Sequence, residues 1–278
     1  MNCNDIYSSQ RSLAELTELI HTAFLVHRGL IDVDILVKID EKNLRSEMEL
    51  GNKMAVLSGD FLLANACVAL SELKHSKVVE MMSSAIEDLS HGFFVLPESG
   101  DSPHISLDDL PTSRVQWEDL IFLAQGSLVA NACAAAVELA NQTTEFGKSA
   151  LNFGKHFMLA QQARLDIERL CHRNIENNNG HFNHSCSEIC SLPVVLLAQL
   201  YGGSNWLNSF IKTDDITNTK IVMKDELQSI VSQHPSVLEE SEEICRRHHD
   251  LALSMLNLLP PGEPTESLKL LTKAVSGS

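Results

Sequence analysis

The sequence predicts an all-α protein, one large helical domain over residues 1–278. Three observations carry that expectation. Apolar residues recur at helical spacing along most of the chain, no stretch alternates as a half-buried strand does, and the side chains available for a core are aliphatic and small. Hydrophobic residues make up 44% of the 278 positions and aromatic residues only 5%, a balance that suits packed helices better than an aromatic-rich sheet.

The elements follow in order. Leu13, Leu16, Leu19, Ile20, Ala23, Phe24, Val26 and Leu30 mark a first helix, and Leu57, Phe61, Leu62, Ala64, Ala66 and Leu70 a second. Both are too apolar to lie on a surface. Similar patterns predict helices over 75–95, 115–141, 146–171, 192–201, 236–258 and 265–275. Segments 97–113 and 173–185 carry the Gly, Pro, Asn and Ser of long loops, which in helical enzymes often border an active-site mouth.

Charge and cysteine usage narrow the function classes. A formal net charge of −16, with no long basic stripe, would repel a phosphate backbone and disfavours nucleic-acid binding. A phosphate-bearing substrate would need a bridging cation. Seven cysteines without regular spacing read as reduced thiols, which places the chain in the cytosol or the mitochondrial matrix. No apolar run is expected to reach the roughly 20 residues of a membrane span. The opening residues, Met-Asn-Cys-Asn-Asp-Ile-Tyr, form neither a signal peptide nor an Arg-rich presequence.

Two runs carry a family resemblance. Glu18, His21, Ala23, Leu25, His27, Arg28, Gly29 and Asp32 are spaced as Glu-x-x-His-x-Ala-x-Leu-x-His-Asp-Asp-x-x-Asp, and Gly51, Ala55, Leu57, Gly59, Asp60, Leu62, Leu63, Ala64 and Ala66 as Gly-x-x-x-Ala-x-Leu-x-Gly-Asp-x-Leu-Leu-Ala-x-Ala. Both segments resemble trans-prenyltransferases, the polyprenyl synthase family, and similarity continues over 117–128, 154–168 and 191–195. The resemblance implies an isoprenoid-synthase helical bundle, here without the family's N-terminal helices. It also implies magnesium ions held between two Asp-Asp-x-x-Asp motifs, because ionising an allylic diphosphate requires neutralising the leaving group. Positions i and i+4 share a helix face, so the outer carboxylates of each motif grip metal together.

The departures fall on those positions. The first motif reads Arg28-Gly29-Leu30-Ile31-Asp32, and the second keeps Gln162 and Asp166 but has Leu165 and Arg169 where aspartates belong. Ala124-Gln125 replaces the diphosphate-holding Lys-Thr pair, and the basic segment expected between Asp34 and Gly51 is absent. Such degeneracy resembles the second subunit of heteromeric decaprenyl or solanesyl diphosphate synthases. The resemblance implies a non-catalytic regulatory or scaffolding chain that binds no cofactor itself and pairs with a catalytic subunit 1 carrying magnesium. The pair makes the ubiquinone side chain in mitochondria. Leu57, Phe61, Leu62 and Ala66 are the expected interface, with Leu62→Asp or Ala66→Arg expected to break it and Asp166→Ala expected to change little.

Plainer readings stand beside these. His21 and His27 are expected as hydrogen-bonded core histidines, Asp60 as a helix-packing or buried hydrogen-bonding residue, and Asp32 and Asp166 as solvated or paired with Arg28 and Arg164. Cys171, His172, His181, His184, Cys186 and Cys190 have zinc-ligand chemistry but match no standard spacing. Arg246-Arg247 beside His248 and His249 reads as a solvated helix face, and Asp214-Asp215 lacks a third aspartate. Two other functions remain at this level: an active prenyltransferase with a variant metal site, and a helical interaction protein unrelated to isoprenoids.

Overall fold

The computed structural model describes residues 6–30, 42–95, 110–171, 188–213 and 220–276. Helices α1 (Ser8–Arg28), α2 (Lys42–Glu72) and α3 (Ser76–Val95) come first. Then α4 (Arg114–Ile121) runs through a π-helical turn, Phe122–Gly126, into α5 (Ser127–Leu139) without interruption, so the single helix expected over 115–141 is present and carries a π-helical turn. After α6 (Thr144–Cys171) and a short 3-10 turn, Glu188–Cys190, come α7 (Leu192–Tyr201) and α8 (Ser204–Asn208).

A two-stranded antiparallel ribbon, β1 (Ile211–Thr213) and β2 (Lys220–Val222), pairs Ile211 with Val222. The sequence expectation of no strand is corrected there. Three residues are too few for a period-2 pattern to register, and both Ile211 and Val222 lean on the main core. Helices α9 (Lys224–Ser232), α10 (Pro235–Leu256) and α11 (Glu263–Ser276) close the described chain. Of these, α9 is an element that the spacing analysis missed.

Packing places α5 and α6 at the centre. Helix α6 lies between α5 and α10, α1 packs on α2 and α5, and α3 packs on α5. One core surrounds Trp117, Leu159 and α7, in which every residue from Leu192 to Ala198 is buried. A second joins α1, α2, α3 and α5 through Leu16, Ile20, Ala66, Met82 and Leu128. A third, smaller one seats Phe153 against Ala252 and Leu256.

Close crossings depend on glycine. A methyl on Gly154 would lie 2.7 Å from Ala130 Cα and 2.9 Å from Ala130 N, both backbone atoms of α5 that cannot rotate away. Gly154→Ala is therefore expected to cost about 1–3 kcal/mol by forcing α5 and α6 apart. The urea midpoint checks this, and an unchanged midpoint would show that the two helices separate freely.

Two helical stretches, Arg45–Glu72 and Arg114–Leu139, have the length and hydropathy of a membrane span, which corrects the expectation that no apolar run approaches one. They differ in placement. Half of the second window is buried in the bundle, whereas only 17% of the first is. Helix α2 rests on α1 along one edge, while Leu50, Met54, Leu57, Phe61 and Val68 stand exposed on the other.

Candidate functional site

A cavity of about 340 Å³ opens between α1, α3, α5 and α6. Helix α1 contributes Thr17, Glu18, His21, Phe24, Leu25 and Arg28, one continuous face at helical spacing. The π-helical turn contributes Ala124 and Gln125, α5 adds Leu128 and Val129, α6 adds Met158, Gln161 and Leu165, and Leu89 comes from α3. The structure thus brings together the positions singled out in the sequence as the first motif, the Lys-Thr site and the second motif. It does so with Arg28, Ala124, Gln125 and Leu165 in them. Arg28 holds its guanidinium 5.9 Å above the Phe93 ring.

The donor set among the described residues does not suit magnesium. Among the described residues the cavity wall carries one carboxylate, Glu18, and no group of three His, Cys, Asp or Glu side chains is placed to hold a metal. Asp32 lies outside the described residues, as do His172, His181, His184, Cys186, Asp214 and Asp215. Cys190 is buried in the main core.

Asp166 does not face the cavity at all. One residue beyond Leu165 means about 100° around α6, and its carboxyl is fully buried. Oδ2 accepts from Trp117 Nε1 at 3.2 Å and from Leu192 N at 2.9 Å, while Oδ1 accepts from Gln162 Nε2 at 2.6 Å. It therefore caps the first turn of α7 from a neighbouring helix, where the helix dipole favours an anion. The expected partner Arg164 is paired with Glu168 instead, at 2.6 Å. Burial pushes the Asp166 carboxyl up to about 6, against the pull of the Leu192 amide and Gln162. Gln125 Nε2 donates to Gln162 Oε1 at 3.2 Å, extending the chain of bonds to the cavity wall.

The retained motif residues pack helices. His27 Nε2 lies 3.2 Å from Val56 O and 3.4 Å from Asp60 Oδ1, and its ring occupies the space a Cβ on Gly59 would need, 2.2 Å from Nε2. His27, Gly59 and Asp60 thus lock α1 to α2, but at the rim of that contact: His27 is partly exposed rather than in the core, and the Asp60 side chain is 64% exposed. His21 departs from its reading: it is exposed at the cavity edge rather than in the core. The expected interface also divides. Leu57 and Phe61 are 54% and 68% exposed, but Ala66 is fully buried in the α1–α2 core, and Leu62 is half-buried.

A second polar cluster had no signal in the sequence beyond its residue types. Arg246 and Arg247 are exposed, as a solvated helix face is, but the adjacent His248 is buried; its Nδ1 lies 3.0 Å from His156 Nδ1, and its Nε2, without a hydrogen bond, lies 3.5 Å from Glu118 Oε1. Arg114 and Arg247 each reach Glu118 at 3.2 Å. Burial, then the neighbouring His248, lowers His156 to about 4; burial, then Arg247, lowers His248 to about 4.

The pH dependence follows from these shifts. A histidine depressed in the folded state contributes stability that is present above its ordinary 6.5 and is lost as pH falls through about 4. Asp166, raised above its ordinary 3.8, acts oppositely, and its contribution is lost as pH rises through about 6. With two groups against one, the urea midpoint is expected to fall between pH 6.5 and pH 4. His156→Gln, which removes one of the pair, should flatten that fall. An equally steep decline in the variant would mean that other groups govern it.

Known proteins resemble this chain in sequence and in fold. A sequence model of the family described as polyprenyl synthetase matches residues 1–225. The chain is 35% identical over 271 residues to the all trans-polyprenyl-diphosphate synthase PDSS2 of Homo sapiens and 34% identical to that of Mus musculus, covering 98% of this chain and 64% of each relative. It is 28% identical to the mitochondrial solanesyl-diphosphate synthase 1 of Oryza sativa subsp. japonica, over 95% of this chain and 58% of that one. The chain therefore spans somewhat less than two-thirds of the length of these relatives. Among solved structures, a heptaprenyl diphosphate synthase from Staphylococcus aureus superposes with a TM-score of 0.73 at 18% identity, covering 100% of this chain and 82% of that one. An Arabidopsis medium/long-chain prenyl pyrophosphate synthase gives 0.69 at 23%, over 98% and 84%. Both likenesses are of fold.

Proposed function

Because this chain belongs to the polyprenyl synthetase family, we propose that it is the non-catalytic, scaffolding subunit of a heteromeric all-trans-polyprenyl diphosphate synthase making the isoprenoid side chain of ubiquinone. One observation carries the reading: at the cavity positions that must hold metal and diphosphate stand Arg28, Ala124, Gln125 and Leu165, while His27, Gly59 and Asp60 persist as packing residues. Each lost electrostatic contact to a departing diphosphate is worth about 3 kcal/mol, so several together remove many orders of magnitude in rate. A mitochondrial setting is part of the proposal and is supported by relatives whose names carry that compartment.

The partner is a catalytic subunit bearing its own aspartates and magnesium, and it docks on α2. Leu50, Met54, Leu57, Phe61, Ala64 and Val68 alternate by four and three residues along the exposed face, the spacing of a helix-packing seam. Two copies of a chain carrying −16 charges repel each other, which favours a different partner over self-association. The test is synthesis from farnesyl and isopentenyl diphosphates with magnesium. The chain alone is expected to make no long product, and the catalytic subunit is expected to become active on its addition. Robust turnover by the chain alone would overturn the reading.

A further inference from the structure

The cavity is not a void left by lost catalysis. Its wall is mostly apolar, and its volume of about 340 Å³ sits at the small end of the range of ligand sites, about 300–1,000 Å³. At the end lined by α6 and the π-helical turn, the polar groups are neutral amides. Gln125 spends its Nε2 on Gln162, leaving its carbonyl oxygen without a hydrogen bond among the described residues, and the Gln161 amide makes none there. A donor and an acceptor of no charge thus face an aliphatic space formed by Leu128, Val129, Met158 and Leu165.

We infer that the cavity binds an uncharged, linear hydrocarbon bearing one hydroxyl or carbonyl group, without metal, its polar end on Gln125 and Gln161. The inference rests on the scaffolding role proposed above. Charge decides the class of ligand. Moving a diphosphate from water into this wall strips it of hydration that Arg28 and the edge residue His21 do not replace, since Arg28 is engaged over Phe93, His21 is exposed at the rim and Glu18 lines the same cavity. A hydroxyl needs only the two amides, and the chain behind it buries apolar surface.

Calorimetric titration of the full chain with farnesol and with farnesyl diphosphate, each with and without magnesium, tests this. Farnesol is expected to bind at least tenfold tighter than the diphosphate, with no effect of magnesium. Leu165→Trp, at a position 37% exposed and therefore compatible with folding, should fill the space and abolish binding. Gln161→Leu should weaken farnesol more than the parent hydrocarbon farnesene. Binding of neither ligand, or farnesol affinity unchanged in Leu165→Trp, would overturn the inference. So would a magnesium-dependent preference for the diphosphate without turnover, an outcome that leaves the scaffolding role intact. Long-chain product from the lone chain would instead overturn that role.

Discussion

Asp166→Ala is expected to destabilise the protein by about 3–5 kcal/mol, because three buried donors then lose their acceptor at once. The Trp117 indole, the Leu192 amide and the Gln162 side chain all converge on that carboxyl, and none has water as an alternative. The change also uncaps α7, whose residues from Leu192 to Ala198 are all buried. Asp166→Asn keeps an acceptor for two of the donors and should cost about half as much. Urea unfolding of both variants checks the order. An alanine variant as stable as the parent would mean that the carboxyl is dispensable, as the sequence alone suggested.

Leu57→Asp combined with Phe61→Asp is expected to abolish co-purification with the catalytic subunit while leaving the chain folded. Both side chains are more than half exposed in the isolated protein, so charge there meets water. In a closed interface the same carboxylates would be desolvated without counter-ions, a cost of several kcal/mol and at least about a thousandfold in affinity. Ala66→Arg gives a different result. Its site is sealed between α1 and α2, so the variant should lose stability before it loses its partner. A folded Leu57→Asp, Phe61→Asp chain that still assembles and supports synthesis would place the partner elsewhere.

The helices were legible because their apolar faces repeat, and the cavity because its lost aspartates leave recognisable neighbours such as Gly59-Asp60 and Gln162. What the sequence withheld was azimuth. Leu62 and Ala66 look as suitable for an interface as Leu57 and Phe61 until α1 is seen to claim one edge of α2. Asp166 reads as solvated or paired with Arg164, because nothing local shows that its carboxyl turns inward to Trp117 and Leu192, away from the face that Leu165 presents to the cavity. The His156–His248 contact joins residues 92 apart, and nothing local encodes it.

The π-helical turn from Phe122 to Gly126 sets a rotational phase. Such a turn accommodates one residue more than an α-helix would over the same rise. Trp117 before it and Leu128 after it therefore point into different cores, one around α7 and one around α1. Deleting a single residue within the turn would let α4 and α5 fuse into a regular helix and would rotate one against the other by about 100°. Leu128 and Val129 would swing off the cavity, and Ala130 would no longer meet Gly154. In this bundle the irregular turn keeps two incompatible packing registers in one continuous rod.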